Sequence, residues 1–385
     1  MYKLILIILL IAFSVGNARS QYYTLATADT VTKHLFQEGN WDELIDAGNQ
    51  ILKKDIDFKT LRQRMGYAWL MKGNYLMSRW QYEKALKFDT ADEISNLYLY
   101  YSGLNMSDEG VSRYYAGKLS RETRQEMKIK TFRWVDAVDV EYNYKTGSTL
   151  YSRSAPNYSR LGINSNPGFR LSLYQSISTF SQTYYNETDM RQNEYYALLS
   201  YYPTAALSVH GGYHYLASTV DTTGYKANMF FGKLAYKKHI FDGALIGSLY
   251  SDNADKYLQT GLHAGISVAP LKYLYAQTTI YRLSNSITSN WVYSGSVGLV
   301  PLRKWWIEAS ATLGNQKNFV DMNGIYVHNS ADYSTSRIGG SLFFYPNKHL
   351  TLFGNYTYDT RFISDYDMNV TYNQHSITGG IIWKL

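Results

Sequence analysis

Apolar and polar residues alternate along most of the chain after residue 131, a period of two that is typical of β-strands whose faces meet different surroundings. Fourteen such segments can be counted, and an interpretation that drops the weakest, residues 158–164, with one neighbour gives twelve. Either even number returns the C-terminus to the side where the first strand begins. The predicted strands lie near residues 134–145, 158–164, 169–182, 193–202, 206–217, 226–238, 243–251, 257–268, 273–284, 290–299, 305–315, 333–344, 350–361 and 371–384.

Five of the six prolines lie in short turns between these segments. Proline cannot donate a hydrogen bond to a sheet ladder, so these positions mark where strands end. The seven connections at the opposite ends of the strands are longer and polar, at residues 146–157, 184–192, 218–225, 251–256, 284–289, 316–332 and 362–370. We therefore predict a closed antiparallel barrel with tight turns at one rim, and the longest loop, 316–332, could fold inward as a plug. The turn prolines are Pro167, Pro203, Pro270, Pro301 and Pro346.

The alternation also assigns the two faces of the barrel wall. The apolar row of each strand should face lipid, and the polar row should face the lumen. A soluble sandwich would bury the apolar row in a shared core, and it rarely contains strands of twelve or more residues. The last strand carries the apolar row Ile377, Gly379, Ile381, Trp383 and Leu385. This row resembles the C-terminal signature of outer-membrane barrels, although most of those end in an aromatic residue and this chain ends in leucine.

The pattern in residues 21–130 is helical instead. Gly39-Asn40 and Gly73-Asn74 are 34 residues apart, which is the period of tetratricopeptide repeats. A third copy can be laid over residues 99–119, but it lacks the glycine turn. Residues of the better copy predicted to pack between its two helices are Gly66, Trp69, Gly73, Tyr75, Tyr82 and Ala85.

The N-terminus has the form of a secretory signal peptide. Lys3 precedes an apolar run at residues 4–15, and the small residues Ala18 and Ser20 predict cleavage before Gln21. A retained membrane anchor is the alternative. The predicted organisation is a signal peptide at 1–20, a helical domain at 21–130 and a barrel at 131–385. We expect the barrel in the outer membrane of a Gram-negative bacterium, with its proline turns and the helical domain on the periplasmic side.

Composition narrows the possible partners. The chain has no cysteine, and 39 tyrosines, most of them after residue 130. Tyrosine suits both strands and the membrane interface. The net charge of +7 is not gathered in a basic tract, so we expect no nucleic-acid partner. The partners we expect instead are outer-membrane lipid, a periplasmic protein and a glycan. No motif predicts a cofactor or a metal site.

Polar residues of the inward rows are the candidate functional groups. Their mixed charge predicts a weakly selective lumen that is water-filled or partly plugged. A hydrolase, with His210 and His214 acting beside a serine or aspartate of a neighbouring strand, is an alternative hypothesis. The candidate lumen-lining residues are Asp139, Glu141, Arg170, His210, His214, Lys233, His263, Glu308, Arg337 and Asp359.

The signal peptide, the short tetratricopeptide segment, the proline turns and the terminal Gly379-Gly380-Ile381-Ile382-Trp383 together resemble the YaiO-like outer-membrane barrel family. The order of parts is also similar to the exporters of cellulose and poly-N-acetylglucosamine, which carry more repeats and a larger barrel. This resemblance implies a helical domain that docks a glycan machine and a barrel that passes or anchors its product. Our main hypothesis is a non-enzymatic conduit for polysaccharide or small solutes. A closed barrel that anchors an interaction scaffold is the second hypothesis, and a barrel enzyme acting on lipid or glycan is the third.

Overall fold

The computed structural model describes residues 23–130, 132–146, 153–184, 188–268, 274–302, 304–330, 332–365 and 368–385. The predicted signal peptide and the turn at Pro270 lie outside these residues. The chain divides into two compact units, the first ending at Thr90 and the second beginning at Ala91. The sequence prediction placed the start of the barrel domain at residue 131, so the second unit also contains the last part of the predicted helical domain.

Four helices form the described part of the first unit. They follow one another as two helix–turn–helix pairs, and each pair turns at a glycine in the left-handed region, Gly39 with φ of 71° and Gly73 with φ of 73°. Glycine reaches this conformation without steric cost, which explains its place directly after a helix. The helices are α1 (Leu25–Glu38), α2 (Trp41–Leu52), α3 (Lys59–Met71) and α4 (Tyr75–Ala85).

Small residues allow α3 and α4 to approach closely. A Cβ atom on Gly66 would lie 2.8 Å from the ring of Tyr82, which is 1% exposed. Ala85 is fully buried, and Trp69 packs against the buried residues Leu44, Ile45 and Ala68. Tyr75 is the first residue of α4 and is half-buried. Within the described residues, no helix is both long and apolar enough to cross a membrane.

The second unit begins with three helices and continues into the barrel. The helices are α5 (Glu93–Asn105), α6 (Glu109–Ala116) and α7 (Arg121–Glu126). The barrel strands are β1 (Arg133–Lys145), β2 (Asn157–Gly168), β3 (Leu171–Tyr184), β4 (Thr188–Tyr201), β5 (Leu207–Val220), β6 (Thr223–Lys238), β7 (Phe241–Ser251), β8 (Lys256–Val268), β9 (Leu274–Ser284), β10 (Ser289–Leu302), β11 (Trp305–Leu313), β14 (Tyr333–Phe344), β15 (Leu350–Asp365) and β16 (Met368–Lys384). Between β11 and β14 the chain forms a separate hairpin of β12 (Phe319–Asp321) and β13 (Tyr326–His328).

Each barrel strand pairs with its neighbours in sequence, and β1 pairs with β16 to close the barrel. All fourteen predicted strands are confirmed, and the alternative of twelve is wrong. The even number places both chain ends of the barrel at one rim, where the backbone N–H of Leu385 donates to the carbonyl of Asp136 at 2.9 Å. We call this the turn rim and the opposite one the loop rim.

The proline positions fit the prediction with one refinement. Pro203 and Pro346 lie in turns at the turn rim, whereas Pro167 and Pro301 are the penultimate residues of β2 and β10. At the loop rim the strands run further than predicted. The expected loop at 218–225 is reduced to the two residues between Val220 and Thr223, because the polar ends of β5 and β6 continue the ladder.

The outward rows of the strands form an apolar surface around the barrel. Residues such as Leu262, Leu245, Ile338 and Ile377 are 61%, 60%, 57% and 62% exposed. An apolar surface that surrounds a whole barrel is incompatible with water and suits lipid. The fold is therefore a transmembrane antiparallel barrel preceded by helices, as the sequence predicts, and this is the architecture of outer-membrane proteins.

Helix α6 is attached to the turn rim. The guanidinium of Arg113 donates to the carbonyl of Leu171 at 2.9 Å, and the hydroxyl of Tyr202 donates to Glu109 at 2.8 Å. Burial and the neighbouring Glu109 carboxylate raise the pKa of Tyr202 well above its ordinary value, so its hydroxyl stays a neutral donor. Lys237, near the end of β6, lies 3.4 Å from the carboxylate of Asp108. These contacts fix α6 to the ends of three strands.

Candidate functional site: the lumen and its hairpin

The loop between β11 and β14 folds into the lumen, as the sequence analysis considered. Its hairpin, β12 and β13 joined by a 3-10 turn at Met322–Gly324, contacts wall residues from β1 round to β14. Loops that exposed their backbone inside a barrel would leave polar groups without partners. Here the backbones of β12 and β13 hydrogen-bond to each other, and wall side chains hydrogen-bond to other backbone groups of the hairpin.

One face of the hairpin is apolar. Phe319 is fully buried and Val320 is 3% exposed, in a cluster of inward residues from β5 to β10. The ring of Phe319 packs edge-on against Tyr281 with centroids 5.1 Å apart. The side chain of Gln259 donates to the carbonyl of Val320 at 2.8 Å and accepts from its N–H at 3.0 Å. The hairpin is therefore seated on one wall by burial as well as by hydrogen bonds.

The tip of the hairpin is held by polar wall side chains. The Tyr196 hydroxyl donates to the carbonyl of Asn323 at 2.6 Å, and a ring nitrogen of His214 lies 2.9 Å from the carbonyl of Gly324. The other ring nitrogen of His214 lies 3.3 Å from the carboxylate of Glu194. This carboxylate fixes the orientation of the ring toward the tip. Lys233 reaches the side-chain oxygen of Asn323 at 3.3 Å.

The opposite face of the hairpin meets charged groups on β1 and β2. The Tyr326 hydroxyl donates to both carboxylate oxygens of Glu141, at 2.7 and 2.8 Å. Arg160 donates to Glu141 at 2.7 Å, and its guanidinium lies 5.2 Å from the centre of the Tyr326 ring. Asp139 lies 3.7 Å from Arg160 and accepts from Tyr174 at 3.1 Å. The two carboxylates of this wall thus share one arginine as their cation, and each also accepts a hydrogen bond from a tyrosine hydroxyl.

Two further ion networks tie the ends of the hairpin to β14 and β15. Arg337 donates to Asp359 at 2.9 Å and lies 3.6 Å from Asp321 of β12. Its guanidinium is also 3.0 and 3.1 Å from the two ring nitrogens of His328. Arg361 donates to the carboxylate of Asp332 at 2.9 Å and to its carbonyl at 2.7 Å.

Arg153 adds a second cation to Asp332 at 3.1 Å, and Tyr372 donates to the same carboxylate. Arg361 is 8% exposed and Asp332 is 4% exposed. The last residue before β14 is therefore clamped from three sides, and this clamp sets where the hairpin leaves the wall.

A polar cavity of about 810 Å³ remains beside the hairpin. Its lining reaches from Arg361 and Asp332 near the loop rim to Phe353 and Ile382 near the turn rim, and it also includes residues of other strands, such as Lys233 of β6. Hairpin residues such as Asn323 and Tyr326 line its other side. The hairpin thus narrows the lumen and leaves a cavity that is lined by apolar residues together with many polar and charged ones.

Most of the ten predicted lumen residues come together in this cavity. Seven of them line it: Asp139, Glu141, Lys233, His263, Glu308, Arg337 and Asp359. His214 lies beneath the hairpin tip, and Glu308 accepts a hydrogen bond from Tyr275. Arg170 lies in the turn between β2 and β3, where it donates to the carbonyl of Pro203 at 3.2 Å. Arg170 therefore lies at the rim and not in the lumen, because β2 continues to Gly168 and leaves only two residues before β3.

The two histidines of the hydrolase hypothesis have different surroundings. His210 lies between two serines, with Nδ1 2.8 Å from Ser200 Oγ and Nε2 2.9 Å from Ser208 Oγ. A triad needs a carboxylate on the second ring nitrogen to orient the base. A carboxylate does lie at a ring nitrogen of His214, but the other nitrogen of that ring contacts the Gly324 carbonyl. The two histidines therefore do not share one catalytic arrangement.

Several lumen groups were missed by the sequence analysis. Arg160, Glu194 and Arg361 lie on inward rows of predicted strands, so the period-two pattern alone could have marked them. Asp321, His328 and Asp332 belong to the long loop, and no periodicity marks a loop residue as inward. Within the described residues, no three acidic, histidine or cysteine side chains gather in a way that would hold a metal ion.

The chain is similar to solved structures of membrane barrels. A bacterial polysaccharide outer membrane secretin is 9% identical with a TM-score of 0.43, over 66% of this chain and 99% of that one. The CymD monoaromatic hydrocarbon channel is 9% identical with a TM-score of 0.44, over 68% of this chain and 92% of that one. The KdgM porin is 10% identical with a TM-score of 0.35, over 65% of this chain and 99% of that one. No protein-family model and no curated protein sequence matches the chain.

These identities and TM-scores are low. The likeness is one of barrels, and no solute or partner of those proteins is transferred to this chain.

Proposed function

We propose that this protein is a non-enzymatic conduit of the outer membrane of a Gram-negative bacterium, narrowed by the β12–β13 hairpin. The observation that supports this proposal is the cavity beside the hairpin, whose lining carries many charged side chains and includes residues near both rims. The cavity volume of about 810 Å³ suits small hydrophilic solutes, whereas passage of a glycan chain would require the hairpin to move.

Single-channel recording tests this function. Purified full-length protein in planar bilayers is expected to give a small, steady conductance, because the hairpin leaves only part of the lumen open. If repeated insertions into the bilayer give no conductance events, the protein is not a conduit. The second candidate function, a closed barrel that anchors the helices, would then stand, since the buried seat of Phe319 favours a fixed hairpin.

We also propose that the helical region is tetratricopeptide-like, lies in the periplasm and docks a protein partner, as in the YaiO-like family. The two helix–turn–helix pairs with glycine turns 34 residues apart support the repeat assignment. The attachment of α6 to the turn rim supports placing both on one side of the membrane. A partner from a glycan-assembly machine would suit the order of helices and barrel.

The orientation can be measured directly. A protease site inserted after Asn347, in the turn that contains Pro346, is expected to resist protease added to intact cells and to be cut after the outer membrane is permeabilised. The same site inserted at the loop rim, between Asp221 and Thr222, serves as the control and should be cut in intact cells. Cleavage after Asn347 in intact cells would reverse the orientation.

A further inference from the structure

A second, smaller cavity of about 310 Å³ is lined by residues of β5 to β9 on the side of the turn rim. Its lining includes Ser208, His210, Lys237 and Asp242. Lys233, His263 and Gln277 line this cavity and the larger one as well. These three side chains therefore mark the junction between the two cavities, and a solute that moves from one to the other must pass them.

Lys233 differs from the arginines of the wall. Arg160, Arg337 and Arg361 each have a carboxylate within 3 Å. In the part of the chain that the structure describes, no carboxylate lies within 4.0 Å of the Lys233 ammonium, and its hydrogen bond goes to the neutral amide of Asn323 at 3.3 Å. A lysine that is half-buried with only one neutral partner has donors left for an anion.

The other charged groups of the small cavity are engaged with one another. Asp242 lies 2.8 Å from His263, and Lys237 lies 3.4 Å from Asp108 of the helical segment. His210 uses both ring nitrogens on serine hydroxyls. Lys237 stands four residues from Lys233 on the same inward row of β6, where the carboxylate of Asp108 offsets its charge. Lys233 remains as the group that a ligand can bind.

We propose that Lys233 and the small cavity form a binding site for the carboxylate or phosphate group of a small organic anion, which the conduit takes up at its turn-rim end. The inference takes the proposed conduit as its starting point and names the class of solute. A volume of about 310 Å³ is at the lower end of ligand sites, which suits a compact anion. Bound at Lys233, the anion competes with Asn323 for the ammonium, so its arrival withdraws one hydrogen bond from the hairpin tip.

The site is tested on the full-length protein in detergent micelles by isothermal titration with sodium phosphate and, separately, sodium acetate. A zwitterionic buffer of low ionic strength avoids competing anions. Loss of one charged donor in Lys233→Gln is expected to weaken binding about tenfold. Lys233→Arg should retain binding, and Lys238→Gln is the matched control because Lys238 lies on the outward row of the same strand.

The two ligands separate the possible sources. A loss for phosphate alone assigns the site to phosphate esters, and a loss for acetate alone assigns it to carboxylic acids. Equal binding by wild type and Lys233→Gln, or no binding by wild type to either anion, overturns the site. Titration in micelles does not require conduction, so the two proposals can fail separately. Anion binding without channel activity would refute the conduit and support the site. Channel activity without anion binding would refute the site and support the conduit.

Discussion

Replacing residues 317–330 with a short Gly-Ser linker is expected to raise the single-channel conductance on the order of tenfold, because a fourteen-strand barrel without an internal segment encloses a wide lumen. The barrel itself should still form. Asp332 stays with Arg361, Glu141 keeps Arg160, and Arg337 keeps Asp359, so the wall charges retain wall partners after the hairpin is gone.

A variant that keeps the whole loop shows whether the position of the hairpin, as well as its presence, limits the conductance. A Cβ atom on Gly324 would lie 2.8 Å from Met229 and 3.2 Å from Phe231, and its φ is 92°. Gly324→Val should therefore unseat the tip and raise conductance with frequent transitions. Lys317→Val is the control, since Lys317 is an exposed residue of the same loop. Wild-type conductance in both the linker variant and Gly324→Val would show that the hairpin does not restrict the passage.

Arg361→Met is expected to lower the free energy of unfolding by about 3 kcal/mol, because it leaves the buried carboxylate of Asp332 without its principal cation. Arg153 and Tyr372 stay within reach of that carboxylate, so the loss should lie at the lower end of the range for a broken buried pair. Urea titration in lipid vesicles, followed by tryptophan fluorescence, measures the change.

A double-mutant cycle tests the cause of this loss. Arg361→Met with Asp332→Asn should recover part of the stability, since the uncompensated charge is removed together with its partner. Arg191→Met is the control, because Arg191 and Asp189 are 71% and 58% exposed and their ion pair contributes little. A double variant less stable than Arg361→Met alone would mean that the charge of Asp332 is not what makes the single substitution costly.

The strands could be predicted because each is long and its two faces meet lipid and lumen. That contrast imposes strict alternation, and alternation is visible in one sequence. The ends of the strands at the loop rim could not be placed as well. Residues 218–225 are mostly polar and have the composition of a loop, yet residues 218–220 and 223–225 continue the ladder of β5 and β6. In the same way, residues 362–365 and 368–370 of an expected loop continue the ladder of β15 and β16.

We could predict which strand residues line the lumen, but not which of them form ion pairs or hydrogen bonds with one another. Parity along the strands places Glu141 and Asp359 inside, but the partner of each carboxylate depends on register between strands and on where the long loop turns. The contact of Tyr326 with Glu141 joins residues 185 positions apart. The hairpin seat likewise depends on Phe319 and Val320, two apolar residues of the long loop that the sequence analysis did not single out.

The closure of β1 on β16 has a consequence for the assembly of the protein. Arg133 donates to the terminal residue Leu385 across 252 positions of the chain, so the seam joins the first and last segments of the barrel. No folding intermediate can close the barrel before β16 is available to pair with β1. Contacts between residues so far apart in the sequence also form slowly. Until the barrel closes, the free edges of β1 and β16 expose unpaired backbone groups, which can pair with other chains. A soluble chaperone that shields these edges, or membrane insertion from the C-terminal end, would protect the unfinished sheet.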